Sequence, residues 1–274
     1  MEESKLFQLR WLVCGALIGA GGILPGVSGG VLAVIFGIYR PFMEIITAPR
    51  RGLVQYRKGL VPLAIGWSVG FLTFARGIAL AFSSAETVTT WFFIGLICGT
   101  FPSLLREAGK EGHPIYGWIS MLVCAAVSLV PLYYIHHISG IQIEPHFGWY
   151  NLCGVLLGIG IIVPGLSTSP LLMALGLYHP MLTGLSNLDL SVLLSCAPGL
   201  LLTMLLLARF VNWLFRRHYA LAFHGITGIV AASAVSIIPL YYTGSKEMIL
   251  SVAAAVSGGF LALLFSRLEN KKAS

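Results

Sequence analysis

The chain has 274 residues, of which 57% are hydrophobic and 10% charged, and its formal net charge is +7. A soluble domain carries about 25% charged residues, so this composition excludes a water-soluble fold and points to a bilayer. The basic residues sit in short segments between apolar stretches, which reads as membrane topology and argues against a nucleic-acid partner.

In chain order, the first ten residues lead into a Gly-rich apolar run without a small-residue cleavage site, so no cleaved signal peptide is expected. Residues 12–24 and 31–39 are apolar pieces, each too short to cross about 30 Å of hydrocarbon as a helix. Between them stand Pro25, Gly26, Ser28, Gly29 and Gly30. Proline lacks an N–H, glycine tolerates unusual dihedrals and serine suits a helix N-cap, so the segment reads as helix, break, helix. A basic cluster follows (Arg40, Arg50, Arg51, Arg57, Lys58), then apolar spans over 60–82, 91–105 and 115–135. The segment after them holds His136, His137, Glu144 and His146 but no Lys or Arg, and reads as a solvated loop.

The pattern then starts again. CGALIGAGGILPGVSGGVLAVIFGIYRP (14–41) and CGVLLGIGIIVPGLSTSPLLMALGLYHP (153–180) align without a gap at an offset of 164 − 25 = 139. This register pairs Pro25 with Pro164, Gly26 with Gly165, Ser28 with Ser167, Gly37 with Gly176 and Tyr39 with Tyr178. Further spans are expected over 192–215, 221–240 and 249–265. Beyond the motif the likeness fades, although Thr73-Phe74-Ala75-Arg76 echoes Leu206-Leu207-Ala208-Arg209 at a shifted offset. The five cysteines (Cys14, Cys98, Cys124, Cys153, Cys196) lack metal or redox spacing and read as small buried hydrophobes.

Loop charge sets the topology. If each motif returns to the side it entered from, nearly every Lys and Arg falls on the cytoplasmic face, as the positive-inside bias requires. A single kinked span would put the Arg50–Lys58 cluster outside. The expected fold is therefore an all-α integral membrane protein with two inverted-topology repeats, each a re-entrant helical hairpin plus three transmembrane helices. The first repeat covers 1–138 with its hairpin at 11–43, and the second covers 139–274 with its hairpin at 151–183. Both termini are cytoplasmic in this scheme. Broken helices that meet near the midplane between inverted repeats are a recurring transporter design.

The paired motifs PGVSGG…GIYRP (25–41) and PGLSTS…GLYHP (164–180) resemble those of the PopT-type polyprenyl-phosphate translocases, and the resemblance extends over nearly the whole chain. It implies a flippase of the bacterial cytoplasmic (inner) membrane that returns undecaprenyl phosphate, the lipid carrier of envelope polysaccharides, from the outer to the inner leaflet. The implied partners are this lipid, the surrounding membrane lipids and a coupling ion, H⁺ or Na⁺. No catalytic residue, metal or cofactor is implied.

The residues offer chemistry for a phosphate head group. Free backbone N–H groups at a break form an anion site, to which Ser28, Gly29 and Gly30 contribute in the first motif and Ser167, Thr168 and Ser169 in the second. Pro25, Gly26, Pro164 and Gly165 would serve as breaks and hinges. Arg76 stands alone in an apolar span, where a charge is costly and usually faces a cavity or a partner; its planar fork suits phosphate, although its nearness to Glu86 equally suits a snorkelling position at the outer interface. Arg209 is its candidate counterpart. Glu44 and His224 are candidates for proton coupling, although Glu44 equally suits a pair with a basic loop residue and His224 a packed, hydrogen-bonded position.

Two rival readings remain open. A site for a lipid phosphate resembles one for a small soluble anion. Gly26-Val27-Ser28-Gly29 also matches the Gly-x-Ser-Gly of rhomboid-like intramembrane serine proteases, with His224 as the base. Duplication of both serine and break argues against an enzyme that needs one nucleophile.

Overall fold

The computed structural model describes residues 2–24, 29–47, 49–134, 144–163, 166–207, 210, 213–214 and 217–273. It contains helices and no strand among the described residues. The first half comprises α1 (Glu2–Ile23), α2 (Gly29–Ile35), α3 (Tyr39–Thr47), α4 (Pro49–Ser84), α5 (Glu86–Ala108) and α6 (Ile115–Tyr133). The second half repeats the order as α7 (Phe147–Ile162), α8 (Ser169–Ala174), α9 (Tyr178–Ser186), α10 (Leu190–Leu202, continued by a π turn at Thr203–Leu207), α11 (Tyr219–Ser236) and α12 (Ser245–Ala273). Helices α1, α4, α5, α6, α11 and α12 are long and apolar enough to cross a membrane.

Both motifs take the expected helix–break–helix form. Each short middle helix ends at a glycine in the left-handed region, Gly37 at φ +73° and Gly176 at φ +71°, and these two stand 139 residues apart. A Cβ is disfavoured in that conformation, so glycine is what lets the chain turn there.

Three boundaries and one burial differ from the sequence reading. Helix α1 is 22 residues long rather than a short piece, because the helix-favouring run from Glu2 to Arg10 extends it. Helix α4 has 36 residues, about 54 Å, so Arg50, Arg51, Arg57 and Lys58 ride on its N-terminal extension rather than in a loop. The span expected over 192–215 is an α-helix only as far as Leu202 before the π turn, and α9 meets it at 116°. Cys98 is exposed, whereas Cys14, Cys153 and Cys196 are buried.

The principal helix pairs are α1–α4, α7–α10, α5–α12 and α6–α11, with α5 also packed on α11. Exchanging the halves maps α1–α4 onto α7–α10, α5–α12 onto α11–α6, and α5–α11 onto itself. The match extends to individual contacts. A Cβ on Gly15 would overlap the Leu63 carbonyl oxygen, and one on Gly154 would overlap that of Cys196. Conversely, Gly66 abuts the Leu12 carbonyl and Gly199 abuts that of Asn151. Gly15, Leu12, Gly154 and Asn151 obey the offset of 139, but Gly199 − Gly66 and Cys196 − Leu63 both give 133. The duplication therefore continues from the motif into α4 and α10 after a shortening of six residues. In a bilayer such glycine contacts let helices approach backbone to backbone, where van der Waals packing holds them together.

The core gathers at the second motif: Leu172, Ala174, Leu177 and Leu182 are fully buried against Phe93, Ile94, Ile97 and Cys153. Large apolar side chains stay exposed on the outer faces of α4, α6 and α12, as a lipid-facing surface requires.

Candidate functional site

The end of α1 in the first motif meets the starts of α8 and α9 in the second within the protein interior. Helix α1 stops at Ile23, and a helix end leaves its last carbonyls without intrahelical donors. In a bilayer each unsatisfied group of this kind costs several kcal/mol. The carbonyl of Ile23 is capped by the other half: the Tyr178 hydroxyl donates to it at 2.6 Å and the Ser169 hydroxyl at 3.2 Å. All three residues are buried. The Tyr178 ring is held edge-on by Phe82 and Phe93 at centroid distances of 6.2 and 6.1 Å, which ties α4 and α5 to the same point.

Beside this contact, Gly29 begins α2, and a Cβ there would lie 2.9 Å from the Ile18 carbonyl oxygen, so α2 folds back closely on α1. Gly29 and Gly30 are half-buried. Pro25, Gly26, Ser28, Pro164, Gly165 and Arg209 lie outside the described residues.

In the second motif the three candidate hydroxyls differ in what they can do. Thr168 donates to the Leu156 carbonyl at 3.0 Å, and Ser169 donates to Ile23. A hydroxyl has one hydrogen, so in this arrangement neither can also donate to a phosphate oxygen. Ser167 is half-buried and has no hydrogen-bond partner among the described residues.

Arg76 lies on the exposed face of α4, next to the fully buried Ala75, and has no ion-pair partner among the described residues. The contact-derived register carries it onto 76 + 133 = 209, an arginine. Glu44 pairs with Arg40 at 3.4 Å and accepts the Tyr56 hydroxyl at 3.0 Å.

His224 is fully buried and is joined to His113 rather than to a break residue. Its Nδ1 lies 2.7 Å from the Ala220 carbonyl, which fixes Nδ1 as the protonated donor. Its Nε2 lies 3.2 Å from His113 Nδ1, and in the neutral ring it accepts from that nitrogen. With both ring nitrogens occupied, His224 offers no free base to a serine nucleophile. The sequence reading placed His146 in a solvated loop; it is exposed, and its Nδ1 accepts the Gly148 N–H to cap α7.

Tyr178 and His113 were not among the residues expected at the site. For Tyr178 the signal was present in the repeated Gly-x-Tyr-x-Pro. For His113, a lone histidine before Pro114, there was none.

The sequence profile of a family described as undecaprenyl phosphate translocase-like matches residues 18–256. A polyprenyl-phosphate transporter of Vibrio cholerae serotype O1 is 26% identical over 253 residues, covering 87% of this chain and 80% of that protein. A polyprenyl-phosphate transporter of Staphylococcus aureus is 23% identical over 282 residues, covering 95% of this chain and 98% of its own length. Both relatives are named as transporters rather than enzymes. No solved structure matches.

Proposed function

This chain belongs to the undecaprenyl phosphate translocase-like family, and from that membership we propose that it moves undecaprenyl phosphate from the outer to the inner leaflet of the bacterial cytoplasmic membrane, returning the carrier lipid for reuse. The observation that supports this reading is the meeting of the two duplicated motifs at one buried carbonyl, that of Ile23, which accepts from Ser169 and Tyr178. A fold that joins two polar motifs by buried hydrogen bonds inside an apolar chain offers a place for a charged group to cross.

In this reading the motifs are re-entrant hairpins of two inverted repeats, both termini are cytoplasmic, and the phosphate enters the cleft between the repeats. The polyprenyl tail stays in lipid throughout. Burying an unpaired phosphate in hydrocarbon would cost tens of kcal/mol by simple solvation estimates, so the head group needs donors along its path. Backbone N–H groups at the breaks, the hydroxyl of Ser167, and Arg76 with Arg209 supply them. Arg76 receives the head group from one side and Arg209 releases it to the other, while glycines at the breaks absorb the hinge motion. Glu44, engaged with Arg40 and Tyr56, and His224, engaged with His113, are the candidates for coupling to an ion.

Leaflet-to-leaflet movement of a labelled undecaprenyl phosphate in proteoliposomes tests the reading. Movement faster than in protein-free vesicles, and slowed by Arg76→Gln, is expected. Acceleration that Arg76→Gln leaves unchanged would remove Arg76 from the path, and no acceleration would overturn the transport reading.

A further inference from the structure

The offset of 139 gives each member of the Ile23 cluster a counterpart: Ile23 with Ile162, Ser169 with Gly30 and Tyr178 with Tyr39. The counterparts are arranged differently. Among the described residues no hydroxyl caps the Ile162 carbonyl, and Tyr39 sits half-buried beside Cys14, Ala33 and Ile38 without a hydrogen-bond partner. Backbone contacts between α1 and α4 recur between α7 and α10, yet among the described residues one motif has its helix end capped across the halves and the other has no such cap. The principal helix pairs map onto one another under exchange of halves, whereas α4–α9 and α8–α11 have no such counterpart among the described residues; a fold of this kind admits a second state, in which each half takes the other's present conformation. In that state Tyr39 stands to Ile162 as Tyr178 now stands to Ile23.

We propose that Tyr178 and Tyr39 are positioning residues that cap two helix ends alternately, the Tyr178–Ile23 bond defining one state of the transport cycle and a Tyr39–Ile162 bond the exchanged state. This rests on the transport reading above. A carbonyl at a broken helix inside a bilayer requires a donor, so each cap stabilises the state in which it forms. Ser169 adds a second donor to the first cap, whereas Gly30 has no hydroxyl to add to the second. The state seen here is accordingly the more stable of the two.

The test reads state populations without any lipid substrate. A reporter cysteine, Ser167→Cys, is placed in a chain whose five native cysteines are replaced by alanine. Its labelling rate by a membrane-impermeant maleimide is then measured from each side of reconstituted vesicles. Tyr178→Phe removes one hydroxyl and keeps the ring, so the fold survives, and Ser169→Ala is an independent second variant. Both are expected to shift the ratio of the two rates in one direction by about two- to tenfold, the factor that one hydrogen bond's net contribution gives. Tyr39→Phe shifts it the opposite way, and the double variant Tyr39→Phe/Tyr178→Phe returns toward the parent ratio. An unmoved ratio, or shifts of the same sign for both tyrosines, would overturn the proposal. If the ratio moves as expected while the unsubstituted chain fails to transfer undecaprenyl phosphate, the paired caps stand and the transport reading falls. If the unsubstituted chain transfers the lipid but the ratio does not move, the caps fall and the transport reading stands.

Discussion

Adding one methyl group at Gly154 should loosen the second half, whereas the same addition at Gly77 should not. A Cβ on Gly154 would overlap the Cys196 carbonyl oxygen and lie 2.9 Å from the Leu200 nitrogen. Both are backbone atoms of α10, so no side chain can swing aside. Helix α7 must retreat by about 1 Å, and the adjoining Gly158–Thr203 and Gly199–Asn151 contacts open with it; overpacking of this kind costs about 1–3 kcal/mol. Alanine's helix propensity returns at most about 1 kcal/mol of that. At Gly77, within α4, a Cβ meets nothing within 4 Å, so the propensity term acts alone. Denaturant titration in detergent micelles should therefore show Gly154→Ala less stable than the parent and Gly77→Ala equal or slightly more stable. A Gly154→Ala chain as stable as the parent would refute the close α7–α10 packing and the duplicated contact scheme with it.

Two further outcomes follow from the site. Ser167→Ala should weaken head-group binding by about tenfold, the loss expected for a hydrogen bond to a charged group, with stability unchanged; Thr168→Ala should instead lower stability by about 1 kcal/mol, because its hydroxyl serves Leu156. Isothermal binding of a short-chain polyprenyl phosphate and denaturant titration separate the two effects. His113→Phe should leave the buried His224 Nε2 without its donor and cost about 1–3 kcal/mol, measured by the same titration.

The breakers made the fold legible. Pro25 with Gly26, and Pro164 with Gly165, announced the interruptions. The 139-residue register predicted that Gly37 and Gly176 would share a role, and both adopt positive φ. The faint echo of Arg76 by Arg209 looked weak in sequence because six residues are missing between motif and span; the Gly66–Leu12 and Gly199–Asn151 contacts supply the register that the side chains had lost. What the sequence did not disclose were cross-chain partnerships. Nothing in the order of residues says that the hydroxyls of Ser169 and Tyr178 converge on a carbonyl 146 and 155 positions away, or that His113 meets His224. Such bonds depend on how helices sit against one another, and periodicity reports the face of a helix without naming its neighbour. The length of α1 was missed for a different reason: its first turns are polar, so a reading that counts apolar residues stopped short of a helix that begins at Glu2.

Passage of a phosphate head group across the bilayer with its tail left in lipid is tested by comparing the leaflet-transfer rates of undecaprenyl phosphate and of undecaprenol, the same tail without its phosphate, in the same proteoliposomes. The protein should accelerate the phosphate lipid well beyond protein-free vesicles and leave the alcohol at its unassisted rate. Equal acceleration of both lipids, or of neither, would contradict it.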